Sequence, residues 1–225
     1  MTMLENAQIV RYDLKKFPFI EALENSVFRV RPLAELHLHW RQQKYRRHGT
    51  EELGYADNLA LRELMQVLPH DSSFMRIYHL FVRRVLSPLY GGKISYSNRP
   101  KMRIHLAGTP AVSSWHKDVD ITGRRDQINV FLPFTRCFGT NTLWCESQYG
   151  AKDYRPLEIE PGEALLFDGG YLEHGTVAND TDVTRCSLDF RFAPTRPDIP
   201  EPWSRILSGR PETLRGRPDS QVTAS

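Results

Sequence analysis

The chain has little of what would place it outside the cell, in a membrane or on nucleic acid. Its 225 residues include three cysteines, Cys137, Cys145 and Cys186. An odd number without C-x-x-C spacing argues against a disulfide framework or a zinc knuckle and fits a reducing compartment. No apolar run is long enough to span a bilayer. The opening MTMLENAQIV has neither the basic nor the apolar part of a secretory leader, so a cytoplasmic protein without a membrane partner is expected. A net charge of +3 is too small to argue for nucleic acid, and the basic residues are dispersed except between Arg41 and Arg47. There is no G-x-S-x-G elbow and no phosphate-cradling glycine loop; Gly169-Gly170 reads as a turn. No repeat of solenoid period appears.

What is present is ordinary globular usage, 40% hydrophobic and 25% charged, enough for one domain with a sizeable core. The first part is helical in pattern. Leu33, Leu36 and Trp40 recur at helical spacing after Pro32, which suits a first turn. Leu61, Leu64, Met65 and Leu68 mark a second helix within 57–68. A third, capped by Asp71, carries Phe74, Ile77, Tyr78, Phe81, Val82 and Val85 on one stripe and ends near Ser87-Pro88. It reads as a helix laid against a sheet. His37 and His39 do not face each other on a helix and read as surface or partly buried residues. Arg41, Lys44, Arg46 and Arg47 read as a solvated helix end. Pro18, between Phe17 and Phe19, should break any helix there.

Ile9–Tyr12 reads as a short strand, and past Gly92 the period becomes two. Ile94 and Tyr96, then Met102, Ile104 and Leu106, then Ile128, Val130 and Leu132 alternate with polar residues. Short strands follow near 142–147, 157–159, 164–167, 175–178 and 184–192. Such spacing, broken by Gly, Pro, Asn and Asp, indicates a sandwich, barrel or jelly roll. Three regions are expected: an N-terminal helical region over 1–92, a β core over 93–196 and an extension over 197–225. The extension is rich in Pro, Arg and Ser, poor in buriable surface and flexible from about 209, with Trp203 and Ile206 pinning its start.

The chemistry centres on SSWHKDVD. On extended backbone, residues i and i+2 point the same way, so His116 and Asp118 converge. His174 follows in GGYLEHGTV, and Arg185 and Ser187 in TRCSLDF. Two histidines and a carboxylate on one face leave three positions open on a metal, the arrangement of non-haem Fe(II) oxygenases. On 184–192 the residues Arg185, Ser187, Asp189 and Arg191 share one face, while Cys186, Leu188, Phe190 and Phe192 share the other. A buried guanidinium holds a carboxylate through two parallel hydrogen bonds, and a hydroxyl two residues on adds a third.

With these residues in view, the chain resembles the Fe(II)/2-oxoglutarate-dependent oxygenases. It is close to the small streptomycin-biosynthesis-protein-like members in RIHLAG, WHKD, INVFLPFT, GTNTLWCES, FDGGYLEHG and TRCSLDFRFAP. The resemblance implies a double-stranded β-helix, a cupin-like jelly roll with flanking helices. It implies Fe(II) on His116, Asp118 and His174, with 2-oxoglutarate and O2 as cosubstrates. It places the distal carboxylate of 2-oxoglutarate on Arg185 and Ser187, and implies hydroxylation of a small polar metabolite (an amino acid, aminocyclitol or sugar-like intermediate) with succinate and CO2 as coproducts. Related halogenases lack the carboxylate ligand; Asp118 is present here, which favours hydroxylation, with desaturation and ring formation open to the same site. Asn129, Arg103 and His105 are further cosubstrate candidates. Trp115, Gln127, Trp144, Glu146 and Arg191 are substrate candidates, Arg191 being also readable as a salt bridge to Asp189 or another carboxylate. Two other readings are a zinc-dependent hydrolase, which needs no cationic dicarboxylate anchor, and a jelly-roll metabolite binder without turnover. A small-molecule substrate is the one partner expected.

Overall fold

In the computed structural model, which describes residues 7–195, 206 and 209–214, helices and antiparallel sheets pack in layers. The strands are β1 (Ala7–Arg11), β2 (Ile94–Tyr96), β3 (Lys101–His105), β4 (Ile128–Pro133), β5 (Trp144–Cys145), β6 (Arg155–Pro156), β7 (Glu163–Phe167), β8 (His174–Gly175) and β9 (Arg185–Pro194). The larger sheet runs β1-β7-β4-β9-β2, with β3 also pairing β9; the smaller runs β6-β5-β8. The period-two expectation past Gly92 meets strands at β2, β3, β4, β7 and β9, whereas 142–147 and 175–178 overlap only the two-residue strands β5 and β8 and 157–159 holds an isolated bridge at Ile159.

The helices are α1 (Phe19–Ala22), α2 (Leu36–His48), α3 (Tyr55–Gln66), α4 (Ser73–Phe81), α5 (Ser87–Leu89) and α6 (Asp118–Thr122). Pro18 does not break a helix but precedes one: it is the N-cap of α1, where its missing N–H costs nothing. The cap of α4 is Ser72 rather than Asp71; its hydroxyl accepts from the Met75 N–H at 3.4 Å. Asp57 accepts from the Gly54 N–H at 2.8 Å, tying down the start of α3, and also receives Lys44 at 2.8 Å. One residue of the basic run is therefore an ion-pair partner rather than a solvated charge. His39 is exposed, whereas His37 is buried against the Thr184 hydroxyl.

Strand alternation decides which face of the large sheet meets which layer. Met102, Ile104, Ile128, Val130, Leu132, Leu166, Cys186, Leu188, Phe190 and Phe192 meet Phe19, Phe74, Tyr78 and Phe81 from the helices in one apolar core. The opposite face carries Phe131, Leu165 and Phe167, which pack with Cys145, Leu157 and Leu172 around the smaller sheet. That second face also carries the polar residues singled out above. In register, Arg103 lies opposite Ser187 and His105 opposite Arg185, while Asn129 lies opposite Arg191 and Phe131 opposite Asp189. The three cysteines are buried and unpaired. No helix among the described residues is long and apolar enough to cross a membrane.

Part of the extension is described. Ile206 and Arg210 are buried, and Glu212–Leu214 forms a helical turn. Arg210 enters a buried ion pair with Asp168. Trp203 lies outside the described residues, as does the remainder of the tail beyond 214.

Candidate metal and cosubstrate site

Local geometry brings His116 and Asp118 together, though not on a strand. His116 forms an isolated antiparallel bridge with His174, exchanging N–H···O bonds of 3.0 Å in both directions. Lys117 is extended, and Asp118 then opens α6. The i, i+2 relation survives because the one intervening residue keeps β geometry. Two glycines permit this approach. A Cβ on Gly175 would lie 2.9 Å from the Trp115 ring, and one on Gly169 would lie 2.6 Å from the Asn129 carboxamide.

Ligand atoms of His116, Asp118 and His174 lie within 4.8 Å of one another. The Nδ1 of His116 is 2.7 Å from the Ser114 carbonyl and that of His174 is 2.9 Å from the Leu172 carbonyl. A carbonyl only accepts, so each ring carries a proton on Nδ1 and turns Nε2 to the site, as metal-bound histidines do. His116 Nε2 then stands 3.4 Å from Asp118 Oδ1. A lone pair and a carboxylate oxygen at that distance repel unless a cation lies between them. The hydrogen bond to Asp118 raises the His116 pKa against the opposing effect of burial. Burial lowers that of His174, leaving it neutral. Burial pushes the Asp118 carboxyl up, but hydrogen bonds from His116, Arg191 and Asn129 hold it far below the usual carboxylate range.

Arg191 is occupied. It grips both carboxylate oxygens of Asp118, with Nε 2.6 Å from Oδ2; Asn129 donates to the same Oδ2 at 2.5 Å. The salt-bridge reading of Arg191 therefore fits with a different partner, since Asp189 is taken by Arg103 at 2.5 Å.

A narrow pocket runs from the three candidate ligand residues to Arg185, walled by Phe131, Leu143, Phe167 and Thr176, with Asn129, Arg103, Asp189 and Arg191 also on its lining. Arg185 is 1% exposed. Its Nε and Nη1, and the Ser187 hydroxyl, have no hydrogen-bond partner among the described residues. Burial pulls the guanidinium down to about 10. Leaving a charged donor group buried and unpaired costs several kcal/mol, so the site has the form of a receptor awaiting an anion.

Other candidates lie elsewhere. His105 does not line the cavity; it is buried beside Arg185, its partner in register, with Nε2 on the Pro110 carbonyl at 3.1 Å. Trp144 donates to the Gly139 carbonyl at 3.0 Å. Glu146 is fully buried and accepts from the Glu173 and Lys152 N–H groups. Trp115 packs on Tyr154 with ring centroids 4.2 Å apart. These two residues, Trp115 and Trp144, together with Gln127 and Glu146, are absent from the cavity lining. The sequence reading missed Thr176 and Phe131. Period two could have found both, since they stand two residues after His174 and Asn129. Asp168 and Arg210 were also missed; they meet only through tertiary packing.

No protein-family profile matches the chain. Among solved structures, EctD from S. alaskensis in its apoform superposes with a TM-score of 0.54 at 12% identity, over 89% of this chain and 77% of that one. SnoK, described as a non-heme alpha-ketoglutarate-dependent carbocyclase from nogalamycin biosynthesis, gives 0.51 at 10% identity, over 84% and 80%. These are likenesses of fold. In sequence, the chain is 34% identical over 174 residues to the streptomycin biosynthesis protein StrG of Streptomyces griseus, covering 73% of this chain and 82% of that one. With this extent of shared sequence, the chain belongs to the family of StrG.

Proposed function

We propose that this chain is an Fe(II)/2-oxoglutarate-dependent oxygenase of jelly-roll (double-stranded β-helix) architecture that hydroxylates a small polar metabolite. The supporting observation is one cavity with two ends. One end holds His116, Asp118 and His174; the other holds a buried guanidinium whose Nε and Nη1 have no hydrogen-bond partner among the described residues. The donor set of two neutral imidazoles and one carboxylate suits Fe(II) with open positions. Arg185 suits the distal carboxylate of 2-oxoglutarate through paired charge-assisted hydrogen bonds, with Ser187 beside it. A zinc hydrolase needs no such anchor, so Arg185 favours iron.

When bound, iron with a 2-oxo acid and O2 supplies an oxidant strong enough to break a C–H bond, with succinate and CO2 as coproducts. The chain's own residues do the rest. Arg191 holds both oxygens of the Asp118 carboxylate and Asn129 holds Oδ2, which fixes the carboxylate plane with Oδ1 on the His116 side. The Ser114 and Leu172 carbonyls fix the imidazole tautomers. Phe131, Leu143 and Phe167 give the cavity apolar walls between its two ends. The family relative's name places StrG in streptomycin biosynthesis, which supports a sugar-like or aminocyclitol substrate in specialised metabolism.

The test is an anaerobic titration of the Fe(II)-loaded protein with 2-oxoglutarate, followed by the visible charge-transfer band of the chelate. A saturable band, lost in Arg185→Gln while iron is retained, supports the proposal. Iron binding with no band at any concentration overturns it in favour of a metal-dependent binder or hydrolase.

A further inference from the structure

The pair formed by Arg210 and Asp168 lies outside the cavity, yet it bears on both loops that carry the ligand residues. Arg210 reaches Asp168 twice, Nε to Oδ2 at 2.5 Å and Nη2 to Oδ1 at 2.7 Å. Its Nη1 donates to the Arg125 carbonyl, on the loop leaving α6. The guanidinium lies over the Tyr171 ring, 4.4 Å from its centroid. Tyr149 also donates to Asp168 Oδ2, at 2.9 Å. Asp168 is fully buried.

Asp168 opens the turn that holds the ligand residues in place. Its carbonyl accepts from the Tyr171 and Leu172 N–H groups at 3.1 and 2.8 Å. The next carbonyl, of Gly169, accepts from the Asp118 N–H at 2.9 Å, and that of Gly170 accepts from Val119 at 3.2 Å. The Leu172 carbonyl orients His174 through Nδ1. One turn thus holds a carboxylate ligand by its backbone and an imidazole ligand by its ring. The turn is in turn held by a residue from the C-terminal extension. Gly170 leaves the room needed: a Cβ there would stand 3.2 Å from Asp168 Oδ1 and 3.8 Å from Arg210 Nη2.

We infer that Arg210 is a positioning residue for metal binding, strapping the C-terminal extension across the turn that sets the separation of Asp118 and His174. The inference rests on the proposed metal site. Without the guanidinium, Asp168 keeps Tyr149 as its one side-chain donor among those described, a poor match for a buried carboxylate. The turn then relaxes toward water, carrying the Gly169 and Leu172 carbonyls with it. Groups behind first ligands change metal affinity roughly 10- to 100-fold; Arg210 acts one step farther out, so about tenfold is expected.

The experiment is a Co(II) titration of the full-length protein without 2-oxoglutarate, read by ligand-field absorption, on wild type, His116→Ala, Arg210→Ala, Arg210→Lys and the charge-free pair Arg210→Met with Asp168→Asn. The expected result is Co(II) binding about tenfold weaker in Arg210→Ala, partly restored by lysine, and still weak in the charge-free pair even where its melting temperature returns to wild type. Affinity within twofold of wild type in every folded Arg210 variant, or affinity that recovers together with stability in the charge-free pair, overturns the inference. If Arg210→Ala does not fold, the lysine variant and the charge-free pair decide by the same criterion. A wild type whose Co(II) binding is absent, or unaltered by His116→Ala, overturns the metal-site reading itself.

Discussion

At the scale of single residues, Arg185 carries the largest unmet demand. A guanidinium with two unpartnered nitrogens in a site that is 1% exposed lowers the stability of the empty protein, since truncating a buried, poorly paired charge to an apolar group is often stabilising. Arg185→Leu is therefore expected to raise the stability of the ligand-free protein by about 2 kcal/mol, roughly 4–8 °C in melting temperature for a chain of this size. It is expected at the same time to abolish the further rise that 2-oxoglutarate gives the iron-loaded wild type. Calorimetry with and without the two ligands checks both. A variant that melts well below wild type but keeps the ligand-induced rise would show the guanidinium to be structural. Arg191 presents the opposite case. Its face on the strand was legible from alternation, but its partner was not. Asp118 lies 73 positions away, and Asp189 is drawn off by Arg103.

At the scale of elements, the site depends on close backbone approach. Asn129 reaches Asp118 because β4 and β7 pair Asn129 with Phe167, and because Gly169, two residues on, has no Cβ to fill the space. Gly169→Ala is expected to cost about 1–3 kcal/mol by overpacking, to displace the carboxamide and to weaken metal binding. Adding Asn129→Ala should recover the stability but not the metal affinity, since the hydrogen bond to Oδ2 stays lost. Urea midpoints and Co(II) titration on the two variants separate these effects; recovery of both by the double variant would remove Asn129 as a support of Asp118. The strand reading of His116–Asp118 was right in its consequence and wrong in its element. A single extended residue before α6 does what a strand would do, and no local pattern in SSWHKDVD distinguishes the two.

At the scale of the whole molecule, burial of neutral imidazoles ties stability to pH. Burial, reinforced by the charge of Arg185, brings His105 down to about 3; burial is also the leading cause of the lowered values of His37, His79 and His174. A histidine titrates near 6.5 when unfolded. A folded value below that means the unfolded chain binds the proton first, so stability is fully present above pH 6.5 and is lost as pH falls from 6.5 toward 3. His116, raised by Asp118, acts in the opposite sense, losing its contribution as pH rises. His105 alone implies a loss on the order of 4 kcal/mol across that window. The metal-free protein should therefore lose urea resistance steadily between pH 6.5 and 4, before the carboxylates titrate, and His105→Asn should flatten that slope. An unchanged slope would show that His105 does not reach its buried, neutral state.

What the sequence by itself determined is what depends on local repetition: the alternation that makes β4 and β9 two-faced, the stripe of α4, and the convergence of residues two apart on extended backbone. These are properties of backbone geometry and side-chain type, and they brought His116 and Asp118 together and put Arg185 and Ser187 on one face. Tertiary structure alone decided which polar groups meet across long separations. It gave Asp118 to Arg191, Asp189 to Arg103 and Asp168 to Arg210, and it turned Trp144, Glu146 and His105 away from the cavity. Charge pairing is set by proximity and desolvation, and neither is encoded in spacing. For the same reason, a Pro- and Arg-rich extension that composition marks as solvated sends one arginine inward to a buried carboxylate beneath the ligand-bearing turn.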